Sequence, residues 1–386
     1  MGPLSGVRVI EVAGLGPGPF SGMMLGDMGA EVIRIDRPGT DPRQALDPLC
    51  RNRRSIVVDL KSPRGVDVLL KLVESADALY EGFRPGVAER LGFGPDTCLA
   101  RNPRLVYGRV TGWGQDGPLA TTAGHDINYI ALSGALIGIG RAGEPPTPPL
   151  NLVGDFGGGG MLLAFGLVCA LLESRRSGKG QVIDAAMIDG ANALMATFHA
   201  FRAQGLYDDR AGTHFLSGAA HYYDCYETSD GKYVSIGALE PQFYALLIEK
   251  AGLPRDRFGP RGFTLEPDKV HRADWPALKA ELGAVFRSRT RDEWCALLEG
   301  TDACFAPVLT GEEASHHPHH VARRSFLEID GVLQNAPAPR FSRTPAAEPV
   351  APPAPGRDTR AVLRDGGYAD TEIDELIRSG IVKTPS

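Results

Sequence analysis

The chain has no CxxC pair, no surplus of positive charge and no apolar run as long as a bilayer is thick. Its six cysteines, Cys50, Cys98, Cys169, Cys225, Cys295 and Cys304, are scattered. That pattern fits reduced thiols in a cytoplasmic protein rather than a disulfide framework or a thiolate zinc site. Lys and Arg number 41 against 47 Asp and Glu, a net charge of −6. With no basic surplus to neutralise phosphates, the balance argues against a general binder of nucleic acid or acidic membrane. Local basic spots such as Arg51-Asn52-Arg53-Arg54 are still expected to be free for one small anionic ligand. The longest apolar run, Met161 to Leu172, falls short of a membrane span and reads as a buried helix. The N-terminal MGPLSGVRV lacks a basic stretch before an apolar one, so no secretory signal is expected; the final KTPS is not a peroxisomal address.

What is present is the composition of a soluble globular protein, 43% hydrophobic and 23% charged, with 386 residues to form more than one domain. Val7–Val12, Glu31–Asp36, Ser55–Leu60, Asp77–Phe83, Arg104–Val110 and Gln181–Ala186 read as strands. Between them lie helical stretches, one to about Met28 and one from Ser62 to Ala76 with Ser62 as cap and Pro63 at its first position. Strands alternating with helices predict an α/β domain, a mostly parallel sheet covered on both faces, over residues 1–200. Beyond it, Tyr222–Thr228, the turn Ser229-Asp230-Gly231 and Lys232–Ala238 predict a β-hairpin, followed by a helix from Pro241 to Ala251. These place a smaller α+β domain at 215–320. Residues 321–386 then hold a proline-rich arm (Pro337 to Pro355) and two helices, Thr359–Gly366 and Thr371–Arg378, returning to the large domain.

Several short stretches bear on chemistry. Gly14-Leu15-Gly16-Pro17-Gly18-Pro19 follows the first strand but does not fit GxGxxG, and its prolines remove donors that a pyrophosphate needs. A tight strand-to-helix turn is the better reading. In Ala123-Gly124-His125-Asp126 a histidine and an aspartate are neighbours, so their side chains do not face each other; alone, they read as a helix cap or surface residues. Asp155, before a glycine run, could cap a helix, and Glu240 before Pro241 could be a plain first-turn acid. His316-His317-Pro318-His319-His320 has no cysteine or carboxylate framework beside it; a surface loop is expected there, not a metal site.

Taken together, the phrases RVIEVAGLGPGPF, GDMGAEVIRIDRPG, NRRSIVVDLKSPRG, EGFRPGVAERLG, TGWGQDGP, GHDINYIALSGAL, NLVGDFGGGG, GKGQVIDAAMIDG and CFAPVL, in this order from residue 8 to about 309, resemble the family III CoA-transferases. The tail GRDTRAVLRDGGYADTEIDELIRSGIV is similar to that family's ending. GHD, GDFGGG and GALEPQFY stand where the family's racemase branch has them.

The resemblance implies a large Rossmann-like CoA-binding domain, a smaller domain and an interlocked homodimer, the arm crossing back between them. It also implies interconversion of (2R)- and (2S)-2-methylacyl-CoA thioesters by 1,1-proton transfer through an enolate. Such chemistry needs acid/base groups on both faces of the α-carbon and donors at the enolate oxygen. The resemblance puts His125 on one face and Asp155 on the other, with Glu240, from the same or the partner chain, holding the His125 ring charged. The backbone N–H of Asp126 is expected on the enolate oxygen. Arg37, Val58, Asp59, Leu60, Lys61, Gly82, Phe83, Arg84 and Arg90 match the family's CoA contacts, and Gly124, Ile127, Asn128 and Tyr129 complete the segment around His125. The cations suit phosphate, arginine as a fork and lysine as a point charge. No cofactor and no metal are implied, CoA being part of the substrate. Two alternatives stay open: a CoA-transferase with Asp126 as nucleophile, forming an acyl anhydride with a free carboxylic acid as acceptor, and a non-catalytic acyl-CoA binder. The acyl chain is not specified.

Overall fold

The computed structural model describes residues 2–266 and 269–385. Its strands are β1 (Arg8–Val12), β2 (Glu31–Asp36), β3 (Arg53–Val58), β4 (Ala78–Glu81), β5 (Val106–Thr111), β6 (Gln181–Ala186), β7 (Tyr223–Glu227), β8 (Tyr233–Gly237), β9 (Phe305–Val308), β10 (Phe326–Ile329), β11 (Val332–Asn335) and β12 (Val382–Lys383). The chain divides into two units, one of residues 1–133, 150–194 and 324–386, the other of 134–149 and 195–323.

In the first unit the largest sheet runs in the order β12-β3-β2-β1-β4-β5-β6. β1 to β6 are mutually parallel, and β12 closes the edge antiparallel to β3, Val382 opposite Val58. The order 3-2-1-4-5-6 is that of a doubly wound sheet, whose winding reverses between β1 and β4. The inner strands read as continuous aliphatic runs because both faces are buried. Ile10, Ile33, Ile56 and Leu79 face a core covered by the helix Pro63–Val73 and the helices Thr359–Asp365 and Asp370–Arg378. Val9, Val32, Tyr80 and Val106 face the other core, closed by Leu163, Leu167 and Leu171. Ser62 stands at the N-terminus of Pro63–Val73 as expected, but its side chain makes no capping hydrogen bond.

The helix read as Met161–Leu172 is longer. A π-helical stretch, Leu152–Met161, runs into the α-helix Leu162–Ser177. Together they make 26 residues with mean hydropathy 1.7 in the most apolar stretch, long and apolar enough by composition to cross a bilayer. One side packs on the sheet, yet Phe165 is 68% and Leu172 73% exposed, so the helix is only half buried.

Charge inside this unit is tightly paired. Glu11 of β1 accepts from Arg34 of β2 (2.5 Å) and Arg53 of β3 (2.9 Å), all three buried. Burial alone would raise the Glu11 carboxyl, but Arg53 and Arg34 outweigh it and hold the group below its ordinary range. The basic patch at 51–54 is therefore not open to a ligand. Arg51 is buried against Asp27 (2.9 Å through Nε), Arg53 against Glu11, and Arg54 pairs with Glu31 (2.5 Å) and Asp365 (2.7 Å). Removing one partner of a buried pair costs several kcal/mol, so these arginines serve the fold. The proline-rich stretch has no regular element and lies along β3, where Asn52 N–H donates to Val350 O (3.0 Å) and Gly356 N–H to Ser55 Oγ (2.8 Å).

The second unit is built on the antiparallel sheet β7-β8-β9. Gly231, at φ 71°, makes the hairpin turn between β7 and β8. Tyr226, Val234, Ile236, Leu278, Phe286 and Trp294 form its core. Residues 134–149, expected in the large domain, belong here, where Arg141 pairs with Asp224 at 2.7 Å. The histidine run is not a loop but parts of two short helices, Gly311–His316 and Pro318–Arg323. Among the described residues no group of three or more His, Cys, Asp or Glu is placed to hold a metal ion.

Candidate active site

At the carboxyl ends of β1, β4 and β5, where the sheet's winding reverses, a crevice of about 290 Å³ opens. Doubly wound sheets bind ligands at this point. Gly14, Gly82, Arg84, Trp113, His125 and Tyr129 are among its lining residues.

The His125 segment is held by packing around Tyr129. Its ring meets Trp113 edge-on at 4.8 Å between centroids. A Cβ on Gly112 would fall 2.1 Å from that ring, and one on Gly124 would fall 2.7 Å from it. Both glycines are thus needed for clearance. The helix Asp126–Leu132 then starts with His125 exposed at its N-cap, the His125 N–H donating to Asn128 Oδ1 at 3.0 Å.

Asp126 turns inward from the same corner and is 5% exposed. Its Oδ2 accepts the backbone N–H groups of Gly154 (2.6 Å) and Asp155 (2.7 Å). Its Oδ1 is closed to solvent. A Cβ on Gly154 would lie 2.6 Å from Oδ2, so glycine is required before Asp155. Downstream, the glycine run lets this helix touch its neighbours: a Cβ on Gly158 would sit 2.8 Å from the Ala191 nitrogen, and one on Gly160 would sit 2.6 Å from the Phe20 ring. Ser21 Oγ donates to Gly160 O at 2.7 Å across the same contact.

These contacts fix Asp155. Asn151 Nδ2 donates to its Oδ2 at 3.2 Å. Partial burial pushes the Asp155 carboxyl up; Asn151 opposes, Asp126 adds its repulsion and His125 favours the charged form. Gly16, at φ 66°, comes from the first loop, and a Cβ there would stand 3.1 Å from Asp155 Oδ2. The glycine loop therefore turns strand into helix and leaves room for this carboxylate. His125, Asp126 and Asp155 come together; Glu240, exposed before the helix Pro241–Lys250, lies in the second unit.

The expected CoA contacts fall along the same sheet edge. Arg37 follows β2, Val58 to Lys61 end β3 and follow it, Gly82, Phe83 and Arg84 follow β4, and Arg90 lies on the short helix Val87–Leu91. Arg37, Lys61, Arg84 and Arg90 are exposed, and among the described residues none of them forms an ion pair, unlike Arg34, Arg51, Arg53 and Arg54. Ile127 and Asn128 are exposed beside His125.

Two residues were not anticipated. Asn151 lies four residues before Asp155, a helical spacing that could have been noticed. Glu81, at the end of β4, gave no signal, since nothing in a strand-end acid reports burial. It is fully buried, accepting the Phe83 N–H at 2.6 Å and Arg109 Nε at 3.2 Å. Burial pushes its carboxyl up to about 7, with the Phe83 N–H and Arg109 opposing. The raised value means that the folded chain holds this proton more tightly than the unfolded one. The resulting stability is complete below the ordinary value of 4.5 and is lost as pH rises through about 7. The slope is on the order of 1.4 kcal/mol per pH unit. Glu81→Gln should flatten the stability profile across that window in denaturant titrations; an unchanged slope would dismiss Glu81 as its origin.

Residues 4–359 match the family described as CoA-transferase family III. The chain is 46% identical over 383 residues to the mouse (Mus musculus) protein named alpha-methylacyl-CoA racemase, covering 99% of this chain and 98% of the relative. It is 44% identical over 387 residues to the human (Homo sapiens) protein of that name, covering 98% and 99%. Among solved structures, a CAIB/BAIF family protein from Brucella suis superposes with a TM-score of 0.80 at 26% identity, over 95% of this chain and 99% of that one. The matched span contains both the strand-end crevice and the His125, Asp126 and Asp155 corner, and the chain belongs to CoA-transferase family III.

Proposed function

We propose that the chain is an isomerase that interconverts (2R)- and (2S)-2-methylacyl-CoA thioesters. The observation that carries this reading is the use made of Asp126. One oxygen accepts two backbone N–H groups, the other is closed to solvent, and Asp126 is not among the residues lining the crevice that His125 lines, so its carboxylate serves to hold the Gly154–Asp155 backbone. His125 and Asp155 remain as two acid/base groups at one corner. The identity to the mouse and human racemases supports the same reading.

In this mechanism the CoA phosphates rest on the unpaired cations along the sheet edge, and the thioester lies at the crevice mouth. One of His125 and Asp155 removes the α-proton, and the other returns one to the opposite face. The enolate oxygen takes the Asp126 N–H, a first-turn donor that has no acceptor within its helix. A carboxyl raised by burial is the better proton donor near neutral pH, which suits Asp155. In this reading Glu240, of the same or of a partner chain, is the carboxylate that keeps the His125 imidazolium charged. The thioester itself acidifies the α-carbon, so the reaction calls for no cofactor. A second copy of the chain would cover the apolar face at Phe165 and Leu172.

The test is incubation with (2S)-2-methylacyl-CoA in heavy water without an added acid. Deuterium at C2 with loss of optical purity is expected. Acyl transfer that appears only with an acceptor acid, and no exchange, would instead identify a transferase. Arg37→Ala and Arg84→Ala should each raise KM for acyl-CoA about tenfold with little change in kcat, because a phosphate contact far from the α-carbon gives uniform binding. Steady-state kinetics showing an unchanged KM would remove that arginine from the site.

A further inference from the structure

We propose that the second unit binds a small organic dianion, a doubly charged head on a flat apolar body, in a cavity of about 490 Å³. Arg141, Arg210, Arg272 and Lys279 supply its cations, and Trp275 and Pro276 supply apolar wall. None of these belongs to the acyl-CoA site proposed above.

The cations are arranged, not merely near. Asp224 accepts from Arg141 Nη1 (2.7 Å) and Lys279 Nζ (2.6 Å), and Gly218 O accepts from the same two groups. A Cβ on Gly218 would lie 2.6 Å from Arg141 Nη1, and one on Gly212 would lie 2.2 Å from the Ala142 nitrogen. Both glycines have positive φ, so the turns that let Arg141 approach depend on them. Asp208 accepts from Arg210 (2.5 Å) and stands 3.6 Å from Arg272, whose Nη2 donates to Leu206 O at 2.7 Å.

Four cations against two carboxylates leave two positive charges in excess. Among the described residues Nε and Nη2 of Arg141 have no protein partner, and the same holds for Nη1 of Arg210. A planar fork with free N–H groups suits phosphate or carboxylate oxygens. The volume lies in the range of small-molecule sites, and the indole wall favours an apolar body over a bare ion. The positive field reaches the buried ring of His214, driven down to about 4 by burial first and by Arg272 second.

Phenyl phosphate and isophthalate, titrated calorimetrically into the full chain, test this. One phenyl phosphate per chain is expected, weakened about tenfold by Arg141→Gln and again by Arg210→Gln, and unaffected by Arg84→Ala. The Arg210 side chain is 72% exposed, so its replacement probes the charge without touching the core. Tighter binding of isophthalate, with the same sensitivity, would assign the pocket to dicarboxylates instead of phosphomonoesters. No saturable binding, or binding that Arg84→Ala abolishes and Arg141→Gln leaves intact, would overturn the proposal.

Discussion

His125→Ala should abolish racemisation yet leave α-proton exchange from one enantiomer, and Asp155→Ala should do the same for the other. A two-face mechanism needs both groups to invert the centre, because the enolate must collect its proton from the side opposite to the one it lost. Exchange asks less. A base that removes a proton, trades it with solvent and returns it labels the substrate without inverting it. General acid/base groups contribute about 10²–10⁴-fold, so in each variant the surviving exchange should exceed the blocked direction by that order. Deuterium incorporation into each enantiomer, followed by NMR and chiral analysis, reads both quantities. Near-normal racemisation in His125→Ala, or equal loss of exchange from both enantiomers in both variants, would show that these residues are not the pair.

The sheet was readable because its strands are aliphatic runs buried on both faces, separated by amphipathic helices such as Pro63–Val73. Errors at strand ends came from polar residues that pair within the fold. Arg53 and Arg54 look like loop cations, yet they open β3, because Glu11 on β1 and Glu31 on β2 neutralise them. Nothing local in the sequence announces a partner 42 or 23 residues away. The same blindness hid β12, two residues long and paired antiparallel with β3 more than 300 positions earlier, and the placement of 134–149, which rests on long-range pairs such as Arg141 with Asp224.

Family phrases pointed to the His125, Asp126 and Asp155 positions, but their arrangement was not legible. Asp155 before the glycines read as a possible helix cap; it lies instead inside a helix that the glycines continue, whose backbone presses against its neighbours. Gly16 read as part of a tight strand-to-helix turn, and the structure adds that it gives clearance to Asp155. In both places glycine records a close approach, and sequence alone cannot say what approaches.

Asp126 separates racemase from transferase most sharply. Asp126→Asn keeps the backbone N–H and, with its amide oxygen at the Oδ2 position, can still accept from Gly154 and Asp155. Its amide nitrogen would take the Oδ1 position, which has no protein partner to oppose it. Racemisation should therefore fall only a fewfold. Asp126→Ala strands the buried Gly154 N–H, at a cost of about 1–3 kcal/mol, frees the half-buried Asp155 N–H and releases the segment that carries Asp155. It should cost racemisation about 10²-fold or more, lower the thermal midpoint and leave KM for acyl-CoA little changed, because the CoA-binding cations sit elsewhere on the sheet edge. If Asp126 were the nucleophile of an acyl-anhydride mechanism, both substitutions would remove turnover alike, since an amide cannot form the anhydride. Steady-state kinetics of the two variants side by side decide it: a large gap between Asn and Ala means that Asp126 positions Asp155, and equal inactivation means that it attacks the substrate.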